Sequence, residues 1–586
     1  MSLRRRHMLR SAALAPAAWA ALPAEGATAS GAAPPRFGRG IEGQRRADLG
    51  NGHYRNPILA GDHPDPTVLR DGDDYYITFS SFDASPGLEI HHSRDLVNWT
   101  PLAHALPRPI LPQASVWACD LVKHGGRFFI YIPVMAPGGS SIWVVHAERM
   151  SGPWSAPVDL GIADAIDPGH VLGEDGRRYL FVNGFRRVRL RDDGLATDGP
   201  LEPACTPWRY PEDWVVEMFA PEGPKLFWRE GWLYLVSAVG GTAGPATSHM
   251  VTLARSRSVH GPWQDCPHNP IVRTRSASEP WWSRGHATVL QGPGGDWWMV
   301  YHGYENGWRT LGRQTLLEPV RWTRDGWLEA RGGALDQALP KPRAPALPAA
   351  RVVPANATTT AATTAATTAT AATTATTAKA KTMVMAPAAL GGAPLSDRFA
   401  GPVLGRQWRF AAPGSDEAAR LRFAAGGGLL LAGKGRALAD CSPLTCIQGD
   451  RAFEAELDFT LPPEAGPGCH AGLGLYYNER GHAAVAYGRD GQRTYGYGEE
   501  QTWMRVPAAA GQPVGRVRIR MRCREQVLRF DCALDDGPWQ RHPWQMEVSG
   551  LHHNVFGGFL SLRLAVFAAG PGTVRLNRFA YRGLDE

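Results

Sequence analysis

The sequence predicts an all-β protein, a five-bladed β-propeller followed by an antiparallel β-sandwich of jelly-roll type. Three observations carry this. Glycine and proline make up about a fifth of the 586 residues, and 21 are tryptophan, so turns are many and aromatic packing is dense. A turn followed by an aromatic, β-branched run recurs five times in the first half. The second half alternates apolar and polar residues at period two. At 586 residues the chain exceeds one ordinary core and implies more than one domain.

The five recurrences begin at Arg70 (RDGDDYYITFS), Lys123 (KHGGRFFIYIP), Gly173 (GEDGRRYLFVNG), Trp228 (WREGWLYLVSAVGG) and Gly292 (GPGGDWWMVYHGY). Their starts lie 53, 50, 55 and 64 residues apart, enough for four short strands and their turns. Five such units build radial sheets around an axis. This propeller is expected over 45–345. In the second half, 453–461, 472–478, 483–489, 515–523, 527–534 and 573–582 read as half-buried strands of a sandwich over 394–586. Between them lies 346–393, whose stretch from 358 to 382 is almost wholly Ala and Thr. It cannot bury enough apolar surface to offset its ordering entropy and reads as a flexible linker. Its length favours a sandwich tethered independently of the propeller.

Residues 1–29 read as a signal peptide. Arg5-Arg6 lead into the small-residue run Ser11–Ala21, and Ala27-Thr28-Ala29 offers a cleavage site. The paired arginines resemble a twin-arginine signal; a plain secretory signal is the alternative. Export to the periplasm or medium is expected. The net charge is +7, of which Arg4, Arg5, Arg6 and Arg10 against Glu25 supply +3. The rest is too weak and dispersed for a nucleic-acid partner. No apolar run reaches 18 residues, so no transmembrane helix is expected. The eight cysteines, three before residue 300 and five after 440, show no zinc-type spacing and do not define a disulfide pairing. Oligomeric state is not legible.

Hydrolysis of a glycosidic bond needs one carboxylic acid and one carboxylate. Acidic residues in Pro/Gly-marked turns between apolar strands are the candidates. Asp65 lies in AGDHPDPTV, where Pro64 and Pro66 bias it toward an extended backbone. Asp167 lies in AIDPGHVL, Glu222 in FAPEGPKLF and Asp120 in SVWACDLV. Asp65, Asp167 and Glu222 precede hairpin strands at similar distances, and equivalent blade positions converge on a propeller axis. Glu217 in WVVEMF is a rival to Glu222, placed by its apolar neighbours on a strand or pocket wall.

These strings, with NPILAGDHPDPTVLRDGDDYYITFSSFDASPGLEIHHSRDLVNW, VWACDLVKHGGRFFIYIP, SRGHATVL and LGRQTLLEPV, resemble glycoside hydrolase family 43, especially its β-xylosidase and α-L-arabinofuranosidase branch. The resemblance covers 54–335. The second region resembles, more weakly, the concanavalin-like sandwich often fused to these enzymes. It implies an exo-acting, inverting hydrolase of xylosyl or arabinosyl residues on xylan-type oligo- or polysaccharides. Asp65 would be the general base, Glu222 the general acid, and Asp167 the third carboxylate that orients the acid and raises its pKa. Arg313 would reach sugar hydroxyls, and Trp117 and Phe82 would wall the pocket. His286 resembles an axial histidine that in some members faces a hydrated Ca2+ or Na+ ion. No organic cofactor is implied. Cys119 departs from the proline usual in this turn, which puts the aim of Trp117 and Asp120 in question. The expected activity is β-xylosidase, with arabinofuranosidase sharing the same carboxylates. Two alternatives stand beside it: a non-catalytic carbohydrate-binding propeller, and a retaining fructan hydrolase, whose WMNDPN-type motif is missing.

Overall fold

The structure is a computed structural model that describes residues 37–343 and 392–585, apart from 415–416, 467 and 508–513. The expected signal peptide and all but the last two residues of the expected linker lie outside the described residues.

Each of the five sequence recurrences forms the hairpin between the first two strands of a blade. In blades II and IV the turn has two residues and both adopt left-handed backbone, which matches the twist of the flanking strands. Gly125 and Gly126 have φ of 55° and 81°, and Glu230 and Gly231 have 50° and 71°. Blade I consists of Thr67–Asp71, Asp74–Thr78, Gly87–Ser93 and Thr100–Leu106. Blade II runs through Asp120–His124, Arg127–Ala136, Gly139–Ala147 and Val158–Ala163. Blade III comprises Gly169–Leu172, Arg178–Val182, Arg186–Arg189 and Glu202–Pro203. Blade IV contains Glu222–Arg229, Trp232–Val239, Met250–Ser256 and Gln264–Asp265. Blade V contains Trp281–Gln291, Trp297–Glu305, Arg313–Trp322 and Leu328–Ala330.

The first strand of each blade touches the first strands of its two neighbours, and blade V returns to blade I, so the ring is closed. The Asn56 side chain seals that joint by exchanging hydrogen bonds with the backbone of Leu317, at 2.9 and 2.8 Å. Much of the tryptophan is spent between blades IV and V. There Phe227, Tyr234, Trp297 and Trp322 pack edge-on or stacked, with ring centroids 4.9–6.3 Å apart.

The second region is a sandwich of two antiparallel sheets. Strand Arg516–Arg524 shows how its sequence reads: Val517, Ile519, Met521 and Cys523 are buried, while the alternate arginines face out. Arg516, Arg520 and Arg522 pair there with Asp458, Glu456 and Glu454 of the neighbouring strand Phe453–Thr460. All eight cysteines are free. Among the described residues, no helix is long and apolar enough to cross a membrane.

Independent tethering is not what the structure shows. The propeller and sandwich form one compact unit. Ala84–Ser85 of the propeller adds an edge strand to Arg409–Ala411 of the sandwich, with Ser85 opposite Phe410. Arg563 of the sandwich grips Asp83 through two bonds of 2.7 and 3.1 Å. Arg45 and Arg451 converge on Glu305 at 2.9 and 2.6 Å. A long connection sets only the entropy of closure, which grows slowly with length. Paired strand edges and buried ion pairs outweigh it.

The junction is testable. Asp83→Ala leaves the Arg563 guanidinium, whose side chain is 6% exposed, without its carboxylate. Removing one member of a buried pair costs about 3 kcal/mol. The urea midpoint should fall accordingly, and an unchanged midpoint would mean that the pair does not hold the domains.

Candidate active site

The inner strands bring the predicted carboxylates together. Asp65 sits two residues before the inner strand of blade I, Asp167 two residues before that of blade III, and Glu222 opens that of blade IV. His286 lies within the inner strand of blade V, and Arg313 opens that blade's third strand. All five line one cavity of about 330 Å3, together with Phe82, Trp117, Ala118, Ile166, Thr242 and Phe559.

Asp65 is not extended, as its two prolines had suggested. Its φ is 55°, in the left-handed region, and Asp167 matches it at 55°. Pro66 disfavours the right-handed helical region, and a short polar side chain tolerates the left-handed one. The conformation is held from several sides. The Asp65 N–H donates to His302 Nδ1 at 3.0 Å, Ser80 Oγ donates to Asp65 Oδ2 at 2.5 Å, and Arg313 Nη1 donates to Oδ1 at 2.8 Å. Phe82, His286 and Phe559 also have positive φ, at 44°, 60° and 56°. Such backbone concentrates where surroundings over-determine it, as in ligand sites.

The three carboxylates share a pocket but not a charge state. Burial pushes Asp65 upward, yet the Arg313 guanidinium outweighs it and holds the carboxyl well below its usual range. The nearby imidazoles add little charge of their own. His302 Nδ1 accepts the Asp65 N–H, and burial pushes His302 down and His286 down to about 3. Asp167 goes the other way, to about 7, through burial and then the charge of Asp65. Its Oδ2 accepts the Gly223 N–H at 3.0 Å, which ties it to the backbone beside Glu222. Glu222 is raised well above the carboxylate range by burial, then by Asp167 and Asp65. At neutral pH one anion, one carboxyl near its midpoint and one proton-holding acid therefore face one small space.

Two candidates lie elsewhere. Asp120 takes Lys225 Nζ at 2.7 Å and the His170 N–H at 2.7 Å, a buried tie among blades II, III and IV. Lys225 also donates to the carbonyl of Cys119 at 2.8 Å. With Cys119 in place of the proline, Trp117 still reaches the cavity. Glu217 is on neither a strand nor a pocket wall. It is an exposed loop residue whose Oε2 accepts the N–H groups of Ala243 and Gly244 at 3.0 and 2.9 Å.

Sequence reasoning missed Phe559, which the sandwich contributes. It follows Gly557-Gly558, its N–H donates to His553 Nδ1 at 2.7 Å, and its ring stacks on His553 with centroids 4.0 Å apart. It meets Trp117 edge-on at 5.4 Å and, with Phe82, flanks the Arg313 guanidinium at 5.5 Å on each side. The glycine pair is a turn signal, but nothing local in the sequence points it at the propeller.

Residues 54–328 match the family described as Glycosyl hydrolases family 43. The propeller is a glycosyl hydrolase family 43 domain. Residues 396–581 match the Beta xylosidase C-terminal Concanavalin A-like domain. Among curated proteins, the family 43 region is 34% identical over 305 residues to Xylosidase/arabinosidase 43B of Humicola insolens, covering 48% of this chain and 55% of that one. It is 32% identical to Xylan 1,3-beta-xylosidase of a Vibrio species, covering 47% and 56%. These matches thus span about half the length of the curated relatives. The family 43 protein BlXynB of Bacillus licheniformis superposes with a TM-score of 0.74 at 24% identity, covering 91% of this chain and 100% of that one. At that identity the likeness shows a shared two-domain fold.

The charge arrangement gives a sign to the pH dependence. If Glu222 is the acid, it must be protonated to act, so activity should fall as pH rises through its raised pKa. Asp167→Asn removes one source of that elevation. The basic limb of kcat/KM should therefore move to lower pH, by about one unit or more. A basic limb left in place with a normal rate would show that Asp167 does not act on Glu222.

Proposed function

We propose that the protein is an exo-acting glycoside hydrolase that removes xylosyl or arabinosyl residues from xylan-type chains with inversion, β-xylosidase being the leading activity. The carrying observation is the pocket in which Arg313 keeps Asp65 ionised while burial keeps Glu222 protonated. Those are the two states that a single-displacement hydrolysis requires.

In this reading a terminal sugar enters against Trp117, Phe82 and Phe559. Asp65 takes a proton from the water that attacks the anomeric carbon. Glu222 gives its proton to the departing glycosidic oxygen. Asp167, anchored on the Gly223 N–H, holds the Glu222 turn in place and keeps the acid protonated. Ser80 and Arg313 fix the Asp65 carboxylate so that little reorganisation accompanies the step. The Phe559 wall favours exo action, since a long chain could not pass through a pocket closed by two domains.

An axial cation fits the residues present. His286 Nε2 is buried without a hydrogen-bond partner, and so are both ring nitrogens of His249 behind it. These two would hold a hydrated ion and supply a fixed positive charge near the carboxylates. Glu222 cannot be both a ligand and the acid, because ligation needs its ionised form. The signal-like N-terminus supports export to the periplasm or medium. A non-catalytic binder is disfavoured by the retention of all three carboxylates.

The test is hydrolysis of a panel of nitrophenyl pentosides and hexosides, with the first-formed sugar watched by proton NMR before mutarotation. Pentosides should be cleaved at least tenfold faster than hexosides, and the product should appear first with the opposite anomeric configuration. No turnover would support the binding alternative. A retained anomer would remove Asp65 from the role of base.

A further inference from the structure

A second cluster of chemistry-bearing side chains lies away from the catalytic pocket and shares no lining residue with it. His63 comes from the AGDHPDP turn, two residues before Asp65. Glu89 and His91 come from the third strand of blade I, on the same face at i and i+2. Each is less than a tenth exposed: 9% for His63, 7% for Glu89 and 5% for His91. One donor atom from each lies within 4.8 Å of the other two. They border a cavity at the junction with the sandwich, beside Trp99 and Arg409.

Two details point to a missing partner. Both ring nitrogens of His91 are buried without a hydrogen bond, an arrangement that is costly unless a partner is present. His91 Nε2 is 3.3 Å from Glu89 Oε1 but outside hydrogen-bonding geometry. A tetrahedral zinc with bonds of about 2.0–2.1 Å sets its ligand atoms roughly 3.3 Å apart. His63 is poised in a similar way. Its Nδ1 faces the Gly61 carbonyl at 3.3 Å, so the proton sits there and Nε2 presents a lone pair. A backbone carbonyl behind a ligating histidine is the usual means of fixing that tautomer.

We propose that His63, Glu89 and His91 form a structural site for a zinc-like divalent transition metal, closed by water from the cavity. The donor set of two imidazoles and one carboxylate suits zinc better than calcium or magnesium, which prefer all-oxygen shells. Arg409 of the sandwich contacts Glu89 Oε2, leaving Oε1 for the metal. The carboxylate then bridges a guanidinium and a cation, and the ion braces the turn that carries Asp65 against blade I and the sandwich.

The experiment uses the full chain, stripped with chelator and dialysed, with Co2+ as the optical probe and Zn2+ as competitor. The wild-type protein should take up about one equivalent of Co2+ with the intense visible band of a tetrahedral site, displaced by Zn2+. His91→Ala and His63→Gln, each checked for folding by near-UV circular dichroism, should weaken binding by about tenfold or more. If His91→Ala does not fold, His63→Gln decides. His249→Ala, outside the three proposed ligands, should retain the band. Uptake below a tenth of an equivalent, or a band that persists in the folded His63 and His91 variants, would overturn the proposal.

Discussion

The ion pair between Arg313 and Asp65 is the constraint on which the site depends. Three carboxylates are folded into one small cavity, and a single guanidinium reaches one of them at 2.8 Å. At an effective dielectric of 20, two unit charges 4 Å apart interact by about 4 kcal/mol, several pKa units for a carboxyl. Placed on Asp65, that stabilisation fixes the anion there. Its charge then discourages ionisation of Asp167 and Glu222, which burial already opposes. The other nearby cation, Lys225, is bound to Asp120 and to the backbone carbonyls of Cys119 and Pro168. The division into an ionised and a protonated carboxyl thus follows from where one arginine points.

That arginine is positioned by both domains. Its own N–H is held by Asp62 at 2.9 Å, and its guanidinium lies between Phe82 of the propeller and Phe559 of the sandwich. The edge pairing at Ala84–Ser85 and the Arg563–Asp83 pair follow directly on Phe82 in the chain. Docking of the sandwich and closure of the pocket are therefore one structural event. The sandwich is a wall of the site rather than an appendage on a tether.

Local pattern carried much of this. The five hairpins, the six sandwich strands and the Pro/Gly turns around Asp65, Asp167 and Glu222 were legible because strand alternation and turn chemistry act over a few residues. What depended on distant contacts was not. The left-handed backbone of Asp65 needs the His302 and Arg313 partners, which lie in another blade. Asp120 shares the turn-like setting of the residues that line the cavity, and only the position of Lys225 shows that it is a structural tie. Glu217 sits in an apolar run that looks like a strand, yet its carboxylate caps a loop. Phe559 could not be assigned, because linker length says nothing about where a domain docks.

The central claim is the unequal protonation of these carboxyls in the free protein. Carbon-13 NMR titration of side-chain carboxyls, with Glu222 assigned by loss of its signal in Glu222→Gln and Asp65 by loss in Asp65→Asn, measures it directly. The account predicts that at neutral pH Asp65 resonates as a carboxylate while Glu222 resonates as a protonated acid, with a midpoint well above that of an ordinary glutamate. A Glu222 that titrates as an exposed glutamate does, or an Asp65 that is protonated at neutral pH, would contradict it.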